Sequence, residues 1–293
     1  MPSVVAPDEK AVVDKALSQV SDIITLPEVT VRILELVEDP KSTANDLHEV
    51  IKRDPALSAK ILKVVNSAFY GLPAQIASTN RAIVLLGLSA VKNIAIAASM
   101  ARLFKGGRLG EHFDSKDVWT HSIAVAVATQ ALHRALGKQA GADEAFLGGL
   151  IHDLGILIEK QAFGEQLGDV IRKVETEKVN FCEAERELLG ADHQAFGAGL
   201  AARWQFPRIL RVTIGYHHNI DKLAADVRDL PALVHTADIM VCQMQLGFWL
   251  TAHDSELDLA IPESLGLTAE QLEEVHAQIP ERLEAAQAVM GLS

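Results

Sequence analysis

Apolar residues recur along this chain at helical spacing, and no stretch alternates with the period of two that a half-buried strand requires. Leu47, Val50 and Ile51 follow Ser42-Thr43, so a helix is predicted there with capping residues in front of it. Asp54-Pro55 sets a cap and a favoured first helical position before Leu57, Ile61, Leu62 and Val65, and Asn66-Ser67 leads to a predicted stop at Tyr70-Gly71. Gly87 and Ser89 divide the apolar stretch 82–101 into two short helices, and Lys92-Asn93 inside it argues for soluble core against a membrane span. Residues 71–80 and 105–114 read as connecting loops. A long helix is expected from about Val118 through Ala124, Ala126, Ala128 and Leu132, followed by an apolar helix over Phe146–Ile158. Thr268-Ala-Glu-Gln271 is a capping-box pattern opening a last amphipathic helix, in which Pro280 predicts a kink or break. The expectation is an all-α multi-helix bundle of two helical subdomains, residues 1–110 and 111–250, with a helical extension over 251–293.

Composition narrows the class without naming a function. The 293 residues are 49% hydrophobic and 23% charged, as in a folded globular chain. Lysine and arginine balance aspartate and glutamate, 13 against 13, over residues 1–114, so the net charge of -12 arises beyond them. An acidic surface repels phosphate backbones, and direct nucleic-acid binding is not expected. Cys182 and Cys242 show no zinc-type spacing and read as buried thiols of a reducing compartment. The acidic start (Asp8, Glu9, Asp14) lacks a signal-peptide pattern; a cytoplasmic protein without a membrane role is expected.

Five of the eleven histidines, with two aspartates, form a candidate site: His121, His152, Asp153, His193, His217, His218 and Asp238. Neutral imidazole and ionised carboxylate are ligands of divalent transition ions, and one carboxylate can bridge two ions. His152-Asp153 lies in the apolar context Gly149-Leu-Ile-His-Asp-Leu-Gly155, where a buried carboxylate is costly unless a cation or hydrogen-bond donors offset it. Neighbours on a helix diverge by about 100°, so other helices must complete the shell, and His121, His193 and Asp238 fall on separate predicted helices. The bland alternative is a set of hydrogen-bonded core groups. His235, one turn before Asp238, reads as an ordinary helix histidine. His48, His112, His133, His253 and His276 receive no chemistry, Asp54 and Asn66 cap and orient helices, and Trp204, Phe206 and Pro207 form a packed turn.

The second part of the chain resembles the HD superfamily of metal-dependent phosphohydrolases. The first resembles the region that distinguishes the HDOD family, the HD-related output domains of bacterial signalling. The stretches that carry this are Leu26-Pro27, Arg53-Asp-Pro-Ala-Leu57, Val65-Asn-Ser-Ala-Phe-Tyr-Gly71 and Ala82-Ile-Val-Leu-Leu-Gly87, followed by His152-Asp-Leu-Gly155. The resemblance implies that His121, His152, Asp153 and Asp238 form the basic HD metal set. It also implies that His193, His217 and His218 match the additional histidines of HD-GYP phosphodiesterases, where a second ion binds. Two departures stand out: Ile156 occupies the position of those enzymes' lysine, and Asn219-Ile-Asp221 follows the paired histidines in place of the GYP signature.

The function implied is a signal-transduction output or scaffold protein. It would act through protein–protein contacts with unidentified signalling partners, around an HD site that binds one or two divalent ions and has lost its phosphate-handling residues. Fe, Mn, Mg, Ni and Zn all suit that donor set, and a nucleotide or phosphate is a candidate ligand. The alternative is a metal-dependent phosphohydrolase or phosphodiesterase acting on a nucleotide or other phosphoester, with Asp153 as its catalytic residue.

Overall fold

The computed structural model describes residues 7–20, 28–39, 41–67, 70–72, 74–104 and 106–290. Leu26-Pro27, and Ala68 and Phe69 of the Asn-Ser stretch, lie outside the described residues. Within them the chain is all-α, with one isolated β-bridge, Arg108 to Asp114, and no strand.

In chain order the helices are α1 (Pro7–Gln19), α2 (Glu28–Glu38), α3 (Ala44–Ile51), α4 (Pro55–Val65), α5 (Thr79–Leu86) and α6 (Leu88–Met100). There follow α7 (Ser115–Ala135), α8 (Ala142–Ile151), α9 (Leu154–Glu177), α10 (Phe181–Leu189), α11 (His193–Arg203) and α12 (Arg208–Tyr216). The chain ends in α13 (Asp229–Gln243), α14 (Ala260–Leu265) and α15 (Ala269–Met290). Local chemistry explains most boundaries. Thr43 and Asp46 close a reciprocal capping box on α3, Asp54 caps α4 with Pro55 in its first turn, and Asp114 with Asp117 does the same for α7. Gly87, at φ 89°, separates α5 from α6.

Three expectations need correction. The helix α4 closes at Asn66 rather than near Tyr70, because the Asn66 amide leaves the helix to pair with the backbone of Ile76. Its Nδ2 donates to the Ile76 carbonyl (2.8 Å), and its Oδ1 accepts from Ile76 N (2.6 Å). The predicted apolar helix over 146–158 is two helices, broken at His152-Asp153 between α8 and α9. Finally, α15 runs through Pro280. Pro280 faces solvent, while Leu272, Val275, Ile279, Leu283, Ala286 and Met290 on the opposite face are buried, so packing outweighs the lost backbone bond.

The long, largely buried α7 is central. It packs against α8, α13 and α15, while α1 crosses to pack on α9 and α11. The C-terminal helix is part of this assembly: Trp119 Nε1 donates to the Met290 carbonyl (2.9 Å), and Gln287 Nε2 to Thr120 Oγ1 (3.3 Å). A hydrophobic cluster runs without a break from Val13 to Met290. Tyr70, behind the Asn-Ser stretch, reaches the first turn of α8, where its hydroxyl donates to Asp143 Oδ1 (3.0 Å). Tyr70→Phe removes a hydrogen bond to a carboxylate and is expected to lower stability by about 1–2 kcal/mol in urea unfolding, with an unchanged m-value.

Candidate metal centre

Five separated segments bring all seven candidate residues together. His121 comes from α7, His152 and Asp153 from the break between α8 and α9, and His193 from the first position of α11. His217 and His218 follow the end of α12, and Asp238 lies in α13. Because Asp153 leaves helical geometry (φ -94°, ψ 21°), consecutive His152 and Asp153 both turn inward, which an unbroken helix would not allow.

Close backbone approach sets these positions. A Cβ on Gly155 would sit 1.8 Å from the His193 carbonyl oxygen, so only glycine lets α9 lie against the start of α11. Gly247 has φ 68°, and a Cβ there would fall 2.4 Å from Asp117 O and 2.5 Å from His121 N. The turn after α13 therefore lies directly on α7 at His121, fastened by Phe248 N to Asp117 O (3.0 Å).

Each of four imidazoles has an outward acceptor for its Nδ1. His152 Nδ1 faces Gly149 O (2.7 Å), His217 Nδ1 faces Ile214 O (2.9 Å), and His193 Nδ1 faces both Glu185 oxygens (2.9 Å each). His121 Nδ1 has a longer contact with Leu246 O (3.4 Å). These acceptors assign the protons to Nδ1 and leave the four Nε2 lone pairs facing inward. They converge on two carboxylates. Asp153 Oδ2 lies 3.3 Å from His152 Nε2 and 3.7 Å from His121 Nε2, while its Oδ1 lies 3.5 Å from both His193 Nε2 and His217 Nε2. Asp238 Oδ1 is 3.0 Å from His121 Nε2 and 3.8 Å from His152 Nε2. His218 stands at the edge: its Nδ1 is 3.8 Å from Asp238 Oδ2, and its side chain keeps 11% exposure where the other six have none.

Asp153 thus faces one pair of imidazoles with each oxygen, the arrangement of a carboxylate between two cations. Burial works against ionising Asp153 and Asp238; without an ion, positive charge and N–H donation from the surrounding imidazoles, His152 foremost at Asp153 and His121 with His152 at Asp238, hold both below the usual carboxylate range, a role that a bound cation would take over. Burial pushes His217 down and His218 well down, so both are neutral donors. For His152 burial is outweighed by Asp153 and Asp238, and its shift is upward.

A divalent ion fits this donor set. Among the described residues, His121 Nε2, His152 Nε2, both Asp153 oxygens and Asp238 Oδ2 are buried without a hydrogen bond, a costly arrangement for a bare interior. His193 Nε2 and His217 Nε2 face one another at 3.2 Å, and with both protons on Nδ1 two lone pairs meet. A cation between the lone pairs and carboxylates removes both penalties. His121, His152 and Asp153 form one group with ligand atoms within 4.8 Å of one another, and Asp153, His193 and His217 form a second.

Sequence reasoning missed the carboxylates behind His193. Glu185, on the buried face of α10, accepts from His193 Nδ1 and from His193 N (3.1 Å), and Glu159 is buried beside it. Burial pushes the Glu159 carboxyl well above the usual carboxylate range, and the Glu185 charge adds to this. Burial pushes the Glu185 carboxyl up as well, with the Asp192 charge adding to this, while its oxygens accept the N–H groups of His193. The available signal was a glutamate at an inward position of each helix. His235 also touches the site, through Nδ1 to His217 O (2.7 Å).

The sequence profile of the HDOD domain matches residues 23–220. An HDOD domain protein with unknown function from Geobacter sulfurreducens superposes with a TM-score of 0.79 at 25% identity, over 95% of this chain and 97% of that one. A candidate signal transduction protein from Marinobacter aquaeolei gives 0.76 at 22% identity, over 99% and 67%. A candidate metal-dependent phosphohydrolase from Shewanella amazonensis gives 0.64 at 23% identity, over 97% and 100%. An uncharacterised protein of Treponema pallidum is 26% identical over 225 residues, and the match takes in 76% of this chain but only 43% of that protein.

Two variants test the construction of the site. Gly155→Ala is expected to cost about 3 kcal/mol or more, read as a lower urea midpoint, because the clash is with backbone and nothing flexible can yield. For Glu159 the unfolded carboxyl titrates near 4.5 and the folded one well above it, so between those values the folded chain binds the extra proton. Wild-type stability should be level below that window and fall as pH rises through it; Glu159→Gln should show a smaller fall, the remainder coming from Glu185, which burial also pushes up, and urea midpoints of EDTA-treated protein from roughly pH 5 to pH 8 measure the difference. These two results bear on the geometry of a chain that, with the profile matching two thirds of its length, belongs to the HDOD family.

Proposed function

We propose that this protein is a signal-transduction output or scaffold module that works through protein–protein contacts, with its HD-type centre serving as a buried, cation-stabilised element and not as a robust catalyst. Burial carries this reading. His121, His152, Asp153, His193, His217 and Asp238 have no solvent exposure, and Ile156, where related phosphodiesterases place a lysine, is itself in the core. A phosphoester would need an open path to the ions and a cation for its charge, and the full burial of six candidate ligands and the isoleucine at position 156 weigh against both. A surface cavity of about 410 Å³ lies elsewhere, between His133, Glu144, Ile209, Asp229 and Leu265, and none of the candidate ligands lines it.

His121, His152, Asp153 and Asp238 would hold one ion, and Asp153, His193 and His217, with His218 at the edge, a second. Bound there, divalent ions supply positive charge that joins helices far apart in sequence. The chain's residues orient the imidazoles, exclude water and keep both aspartates ionised. A partner would find apolar surface on the first part of the chain, where Val84 and Leu85 of α5 are 67% and 49% exposed. No described helix is long and apolar enough to cross a membrane. The likeness to a signal transduction protein agrees with the proposal, as does the HDOD family itself.

Protein purified without chelator is expected to carry one or two divalent ions per chain by elemental analysis. EDTA should lower its thermal midpoint, consistent with a loss of about 3 kcal/mol for an ion present at about a hundred times its Kd. Asp153→Ala should abolish that metal-dependent increment, and a phosphoester screen with manganese or ferrous iron should show no turnover. Turnover that disappears in Asp153→Ala would instead establish a phosphohydrolase.

A further inference from the structure

Beyond the histidines and aspartates, sulfur also approaches this centre. Cys242 lies one helical turn after Asp238 on α13, fully inside the protein, with Sγ 3.4 Å from Asp238 Oδ1 and 3.8 Å from Thr251 Oγ1. One ligand atom each of His121, Asp238 and Cys242 lies within 4.8 Å of the other two. His121 Nε2, 3.0 Å from the same Asp238 Oδ1, is buried and without a hydrogen bond among the described residues.

We propose that Cys242 is a ligand of the half of the centre built on His121 and Asp238, so that this half selects a thiophilic divalent cation, such as zinc, cobalt or ferrous iron, over magnesium. The proposal rests on the reading that the centre holds a cation. Bonds of about 2.3 Å to sulfur and about 2.0 Å to nitrogen or oxygen place tetrahedral ligand atoms roughly 3.3–3.5 Å apart. The spacings around Asp238 Oδ1 bracket that value: 3.0 Å to His121 Nε2, 3.4 Å to Cys242 Sγ and 3.8 Å to His152 Nε2. Packing alone accounts for a small side chain beside Ile239 and Ala252, but any small apolar residue would serve there, and only sulfur adds a soft donor facing the carboxylate. On binding, one metal–sulfur bond forms and the S–H proton leaves to solvent. Cys182 is the natural comparison, since it approaches His193 and His218 at the other end of the centre.

Cobalt(II) separates the possibilities, because a thiolate ligand produces a near-ultraviolet charge-transfer band that imidazole and carboxylate do not. Full-length wild type, Cys242→Ser and Cys182→Ser are stripped with chelator, loaded with cobalt, and assayed for bound cobalt and absorbance. The expected result is the band in wild type and in Cys182→Ser, and its loss in Cys242→Ser with cobalt still bound. Cobalt bound to wild type without the band overturns the thiolate ligand and leaves the cation reading standing. A band that survives Cys242→Ser, or vanishes only in Cys182→Ser, assigns the sulfur elsewhere and overturns it too. No cobalt bound to wild type removes both the proposal and the reading beneath it.

Discussion

Four buried imidazoles are held by hydrogen bonds on their outer nitrogens, and the rest of the centre depends on that constraint. Carbonyls of Gly149, Ile214 and Leu246, and the Glu185 carboxylate, take the Nδ1 side of each ring, so each Nε2 has nowhere to point but inward. Two of the acceptors, Gly149 and Ile214, lie three residues before the histidine they orient, which makes the tautomer of His152 and His217 a local property of their own helix ends. Inward lone pairs beside two ionised aspartates repel one another. Positive charge at the middle is therefore a requirement of the arrangement, and the same requirement explains why so many inward-facing atoms have no hydrogen bond.

Such convergence needs backbones closer than ordinary side chains permit. Gly155 lets the segment after His152-Asp153 touch the carbonyl of His193. Gly197, one turn further along α11, leaves room for Ile214, whose carbonyl orients His217. Gly247 brings the turn after α13 onto α7, next to the carbonyl that faces His121. The Gly155 and Gly247 contacts are with backbone and cannot be loosened by rotating a side chain, so the geometry of the centre is fixed by the packing of the helices that surround it.

The residues that converge were legible as candidates in the sequence because they are polar exceptions in apolar surroundings. His152-Asp153 interrupts a run of leucine, isoleucine and glycine, and Asp238 stands between the apolar Ala237 and Ile239-Met-Val241. The break that turns both His152 and Asp153 inward was not legible, since the apolar pattern runs across it and the cause is the contact of Gly155 with a helix far along the chain. Glu159 and Glu185 escaped notice for the opposite reason: glutamate on a helix is ordinary, and only helical spacing from apolar neighbours, such as Phe181, Cys182 and Leu189 around Glu185, marks an inward position. Pro280 misled because propensity is a local property, whereas α15 is held by a buried face running from Leu272 to Met290. The early end of α4 has the same character, because the bond that closes it is made to Ile76 across a loop.

Burial of the centre also bears on how it communicates. With six of the seven candidate residues fully buried, a cation there would act on the protein through the elements that end at it. α8 is the most direct of these. Its C-terminal end passes into His152, and its first turn carries Asp143, which accepts the hydroxyl proton of Tyr70. Ten helical residues span about 15 Å and behave as one rigid piece over that length. Tyr70 lies between Asn66 and Ile76, which are hydrogen-bonded to each other, and the chain after Ile76 runs into α5, where Val84 and Leu85 are exposed. Under the scaffold reading, the state of the centre and the surface offered to a partner are therefore linked by one helix, one hydrogen bond and one clamped loop. That economy suits an output module better than a catalyst, whose reacting groups would have to meet solvent.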